Sequence, residues 1–83
     1  MSRDEAKREL AKELDGYINE FKLYAKRAGS SGQFYHYAMQ IRDLHIPMLC
    51  RFAEKYLDIK IEVHETPVRS QYNPGEILGY EIN

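Results

Sequence analysis

Residues 10–52 read LAKELDGYINEFKLYAKRAGSSGQFYHYAMQIRDLHIPMLCRF. On each side of Gly29-Ser30-Ser31-Gly32 an apolar stripe advances in steps of four and three. Leu10, Leu14, Tyr17, Phe21, Tyr24 and Ala28 form the first; Phe34, Ala38, Ile41, His45, Met48 and Phe52 form the second. That spacing keeps side chains on one face of an α-helix. If the chain folds back at the glycine-serine turn, facing residues have complementary sizes. Ala28 meets Phe34, Tyr24 meets Ala38, Phe21 meets Ile41, Tyr17 meets His45, Leu14 meets Met48 and Leu10 meets Phe52. The reading is an antiparallel helical hairpin.

Outward from this stretch, Ser2-Arg3-Asp4-Glu5 has the form of a capping box, which places the first helix from there to about Ala28 with Gly29 closing it. The second helix is expected from about Ser31 to Leu57. Its seam face is widened by Tyr37, Leu44 and Tyr56. A second apolar stripe holds Tyr35, Met39, Ile46, Leu49, Cys50, Ala53 and Leu57, with Arg42 in its midst. A helix apolar on two sides lies between layers. Ile59 to His64 alternates apolar and polar, the period of a strand with one buried face. Asn73-Pro74-Gly75 marks a turn, and Glu76 to Ile82 reads as a second strand with Leu78, Tyr80 and Ile82 on one face. The fold class is therefore α+β in the order α-α-β-β, a single domain over residues 1–83. The hairpin is followed by a two-stranded antiparallel ribbon packed on the second helix.

Composition narrows the function classes. Twelve basic and thirteen acidic residues leave a net charge of -1, so there is no global pull toward nucleic acid or anionic membrane. No apolar run approaches the length of a membrane span. The charged first residues are followed by no apolar stretch of the kind a secretory signal needs, and the single cysteine excludes an intramolecular disulfide. A reduced cytoplasmic setting is expected. A domain of this length is marginal alone, and a lone two-stranded ribbon more so, which makes a homo-oligomer the expected stabilising aid, joined through sheet edges or the second helix. Seven tyrosines with no tryptophan suit surfaces that are partly buried and partly wet.

Candidate chemistry is sparse. The three histidines and the cysteine have no metal-ligand spacing, and no phosphate loop, nucleophile elbow or paired acidic motif is present. No metal or cofactor is expected, and no enzyme activity. Cys50 lies on the second apolar stripe, where a thiol behaves as a small hydrophobe. Gly16 beside Tyr17 and Pro47 beside His45 place two helix-weakening residues at the one polar layer of the seam. A kink is expected there, with the Tyr17–His45 pair setting register or acting as a pH-sensitive hinge. The remaining concentration of arginine and aromatic residues is at one end of the molecule. Tyr35, Met39 and Arg42 lie where the ribbon's cover ends, and the twelve-residue segment from His64 to Gly75 returns there with Arg69 and Tyr72. Tyr35, Met39, Arg42, His64, Arg69 and Tyr72 are the candidate binding residues; the plainer reading, which can hold at the same time, is that the segment folds over the helix end with Arg42 paired to an acid such as Glu65. The functional expectation is an interaction module that regulates or inhibits a larger protein, of the kind viruses and mobile elements encode. The alternative is a binder of a nucleotide-like anion, with tyrosines and arginines enclosing it at subunit interfaces.

Overall fold

A computed structural model of the chain describes residues 1–68 and 72–83. Helix α1 runs Arg3–Arg27, α2 Gly32–Gln40 and α3 Ile46–Leu57; strands β1 Ile61–Glu65 and β2 Ile77–Ile82 pair antiparallel. The order is α-α-β-β, with α2 and α3 forming one long second helix. Ser2 caps α1 by accepting from the Glu5 backbone N–H, the first half of the expected capping box; the Glu5 carboxylate accepts from the Ser2 hydroxyl. At the other end α1 tightens into a single 3-10 turn over Ala28–Ser30, closed by the Ser31 N–H on the Ala28 carbonyl. The tightened turn, and not a left-handed Gly29, ends the helix.

Phe21, Ala38 and Ile41 share one buried cluster with Tyr24 packed against it, as the hairpin pairing predicts, and Tyr24 also stacks on Phe34, the partner expected for Ala28, at 6.0 Å between ring centroids. At the polar layer Tyr17 and His45 meet as near-parallel rings 5.9 Å apart. Where the sequence leads to the expectation of a kink, the second helix takes a π-helical turn over Ile41–His45, in which the Ile46 N–H reaches back five residues to the Ile41 carbonyl. Pro47 explains it. A proline there has no N–H for the Asp43 carbonyl, and its ring crowds that carbonyl; opening the preceding turn by one residue relieves both.

One extra residue in a turn rotates everything beyond it by about 100° relative to an uninterrupted helix. The buried positions of α3 are accordingly shifted by one from the sequence stripe. Ile46, Leu49 and Ala53 face inward where His45, Met48 and Phe52 would have continued the seam. Leu14 packs in the cluster with Ile46 and Leu49, and Leu10 in the cluster with Ala53. The expected contacts of Leu14 with Met48 and of Leu10 with Phe52 are therefore replaced. Met48 and Phe52 point outward with Leu44 and Tyr56.

Helix α3 ends at Asp58, which adopts the left-handed conformation (φ 53) and turns the chain into the ribbon, with the Ile59 N–H on the Ala53 carbonyl. The ribbon straddles both helices, β1 against α3 and β2 against α1. Ile61, Val63, Ile77, Tyr80 and Ile82 pack inward. Register is regular from Ile61↔Ile82 to His64↔Gly79 and then jumps to Glu65↔Ile77. Leu78 is thus the extra residue of a β-bulge, which turns its side chain out of the face shared by Tyr80 and Ile82 and leaves it 66% exposed. Ile77 takes the inward place expected for Leu78. No described helix is long and apolar enough to cross a membrane.

Candidate functional site

Arg42 occupies the π-helical turn, and the wider turn sends its side chain under the segment that joins the strands. It is 8% exposed. One terminal nitrogen donates to the Pro74 carbonyl, the other to the Thr66 carbonyl, and Nε lies 3.4 Å from a Glu65 carboxylate oxygen. Both ends of the connecting segment are tied to the same guanidinium. The segment also ties itself: the Thr66 N–H donates to the Glu76 carbonyl, and the Glu76 N–H donates to the Thr66 hydroxyl. Asn73 accepts the Gly75 N–H at 3.0 Å, a side-chain turn that sets up the positive φ (76°) of Gly75. Gly75 lies so close to Arg42 and Thr66 that a Cβ there would fall 2.5 Å from the guanidinium nitrogen and 2.8 Å from the Thr66 carbonyl oxygen.

The six residues singled out by sequence are brought together only in part. Tyr35 and Tyr72 meet edge to face with centroids 6.0 Å apart, and Tyr72 also lies against Gly32. Met39 is half-buried on α2, at the same end of the long helix. Arg42 is beneath the segment with its donors engaged by Glu65, Thr66 and Pro74, the arrangement in which it pairs with an acid. His64 points to the opposite, outward face of the ribbon, where Nε2 lies 3.9 Å from a Glu81 oxygen. Arg69 lies outside the described residues.

His64 does join the one group of potential metal ligands among the described residues. Glu62, His64 and Glu81 each place a ligand atom within 4.8 Å of the others, all exposed. Glu62 and Glu81 are directly opposed across the ribbon, a repulsive placement that a cation would relieve. The cluster has no buried support to fix its geometry, and exposed carboxylates hold divalent ions weakly. Cys50 is half-buried, and burial raises its thiol above the ordinary value, so little thiolate is available for chemistry.

Tyr80 anchors β2 to α1 by donating its hydroxyl to Asp15 at 2.6 Å. That bond to a carboxylate, with burial and the nearby negative charge, pushes the phenol up to about 12. The sign of the stability effect follows. A tyrosine free in the unfolded chain loses its proton near pH 10, whereas the folded one keeps it to about 12, so this contribution is complete below pH 10 and disappears as the pH rises to 12. Urea unfolding at about pH 9 and about pH 11.5 is expected to show a larger loss for the native chain than for Tyr80→Phe, which lacks the ionisable group. Equal losses would show that the Asp15 bond does not hold in solution.

The face that sequence spacing misplaced is exposed and apolar. Leu44 (46% exposed), Met48 (52%), Phe52 (49%) and Tyr56 (65%) stand four apart along one side of the second helix, and Phe52 and Tyr56 touch at 5.2 Å between ring centroids. A shallow hollow among Met48, Phe52 and Tyr56 is rimmed by Arg51 and Lys55. Isolated exposed hydrophobics are ordinary, but four in a row along a helix form a contiguous ridge. The signal in the sequence was Pro47: it marked the kink, but spacing alone carries no sign of a one-residue change of phase.

Two hollows run end to end between α1 and β2. The larger, about 560 Å³, lies between Phe21, Lys22, Ala25 and Lys26 on the helix and the Asn73–Leu78 stretch opposite. The second, about 360 Å³, continues from Lys22 to Asp15 along Ile77–Tyr80. Comparison with protein-family models, with curated proteins and with solved structures finds no match for this chain.

Proposed function

We propose that the chain is a non-enzymatic interaction module that works as a homo-oligomer and regulates or inhibits a larger protein by binding it. The observation that carries this reading is the exposed ridge Leu44–Met48–Phe52–Tyr56. Its occupant is a second copy of the chain. A ridge of residues four apart interdigitates with its own copy at a crossing angle of about 50°. With the two helices antiparallel, Met48 of one copy meets Phe52 of the other and Leu44 meets Tyr56, a self-complementary two-fold contact.

Area limits the strength of that pairing. Half-exposed side chains of these sizes present about 400 Å² per copy, against about 800 Å² per partner in a standard stable interface. The pairing is therefore expected to be reversible and to sit at the weak end of specific association. Sedimentation velocity over about 1 to 200 µM is expected to show wild-type monomer giving way to dimer. The double variant Met48→Glu, Phe52→Glu should stay monomeric with an unchanged circular dichroism spectrum, because both positions are exposed. A wild-type chain that remains monomeric throughout would overturn the homo-oligomer.

The regulator reading, with its viral or mobile-element setting and a reduced cytoplasm, draws its support from the single half-buried thiol and the exposed apolar ridge. The competing nucleotide-anion reading loses its main cation, since the Arg42 guanidinium is engaged by Glu65, Thr66 and Pro74.

A further inference from the structure

If two copies pair through α3, the larger protein must be met on another surface, and the groove between α1 and β2 has the features of a strand-addition site. We propose that it takes an extended, acidic segment of the partner protein, which adds as a third strand beside β2. This rests on the reading of the chain as a protein-binding module.

The first support is the free edge of β2. Among the described residues the sheet has two strands, and β2 is paired with β1 on one side only. The Asn83 N–H donates to the Lys60 carbonyl, which fixes the alternation of the ladder. The N–H and C=O of Tyr80 and Ile82 therefore point away from β1, toward the open edge. Edge groups of this kind are a template for another chain. The second support is shape. The α1 positions bordering the two hollows run from Asp15 to Lys26, a rise of about 16 Å, which accommodates about five residues of extended chain. Phe21, Ala25 and Ile77 provide an apolar lining for inward-pointing side chains.

The third support is charge. Lys22 and Lys26 stand one turn apart on the helical wall, both exposed, and neither is ion-paired among the described residues. Asp15, the acid at the far end, already accepts the Tyr80 hydroxyl. An incoming strand antiparallel to β2 runs from the Asp15 end toward the lysines. Its inward positions, every second residue, are apolar first and acidic last.

The capped peptide acetyl-VTVTE-amide has that pattern and no terminal charge. Titrated into the ¹⁵N-labelled full chain, it is expected to shift the amide signal of Tyr80, where the hollows meet the open edge, and to protect it from hydrogen exchange. Acetyl-VTVTK-amide, and acetyl-VTVTE-amide on the chain carrying Lys22→Glu and Lys26→Glu, should each bind at least about tenfold more weakly, as expected when like charges replace complementary ones. The Met48→Glu, Phe52→Glu chain should bind acetyl-VTVTE-amide as wild type does, which separates failure at this groove from failure of the α3 pairing. Equal binding of the two peptides, or shifts that leave Tyr80 untouched at millimolar peptide, would overturn the proposal.

Discussion

Replacing Arg42 by Met is expected to lower stability by about 3 kcal/mol and to free the segment between the strands. Met fills the tunnel of the arginine stem without its donors. The Thr66 and Pro74 carbonyls then lose their partner, each at a cost of about 1–3 kcal/mol when it stays out of water. Glu65 loses its counter-charge, but it is partly exposed and water recovers most of that term. Against the total of about 4–12 kcal/mol usual for a chain of this length, the loss is large. A fall in Tm of about 12–20 °C is the corresponding measurement. Lys at position 42 should rescue little, because one ammonium cannot reproduce the planar fork that reaches two carbonyls and a carboxylate together. A Tm within about 3 °C of wild type for Arg42→Met would show that the segment is held by its own turn and not by the guanidinium.

Gly75→Ala is expected to cost a similar amount, about 3 kcal/mol, through the opposite partner of the same clasp. The left-handed φ of 76° costs an L-residue about 1–2 kcal/mol, and the new methyl must displace a guanidinium nitrogen at 2.5 Å and a backbone oxygen at 2.8 Å. The side chain of Arg42 can yield; the Thr66 backbone cannot without loosening the Glu76 contacts. Because both substitutions act on one contact, their effects should not add. In the Arg42→Met background the clash with the nitrogen is gone, and the cost of Gly75→Ala should fall to about 2 kcal/mol. Denaturant unfolding of the two single variants and the double variant measures that coupling. Strict additivity would mean that Gly75 is constrained by the turn alone.

These two residues show why the candidate site was only partly legible. Arg42 stood out in sequence as a cation on an apolar stripe, and pairing with an acid was one of two readings for it. What the structure adds is a set of three partners at sequence distances of 23 to 32 residues, two of them backbone carbonyls. Carbonyls have no sequence signature, so a buried arginine held by them looks the same in sequence as one waiting for an anion. Gly75 was legible as a turn residue, since Asn-Pro-Gly is turn chemistry; its crowding against Arg42 was not. Tyr35 and Tyr72 were correctly placed at one end because helix length and strand length together determine where the connecting segment returns. His64 was misassigned to that end. It is the last regularly paired residue of β1 before the bulge, and alternation sends it to the outer face beside Glu81.

Sequence by itself determined the order of elements, the serine cap of α1, the hairpin turn and the pairing of the two helices as far as Tyr17 and His45. All of these rest on short-range periodicity, which is set by backbone geometry and needs no knowledge of distant partners. Only the tertiary structure decided what lies on each face beyond His45. Pro47 made the continuous α-helix costly, and the chain relieved that cost with one wider turn. The turn carried Ile46, Leu49 and Ala53 into the core and turned Met48 and Phe52 to the surface. A single-residue change of phase leaves every local spacing intact, yet it turns the expected seam positions Met48 and Phe52 outward and sets Ile46, Leu49 and Ala53, expected under the ribbon, against α1 as well. For that reason the apolar stripe that predicted the hairpin is, in its second half, the exposed ridge on which pairing of two copies is now proposed.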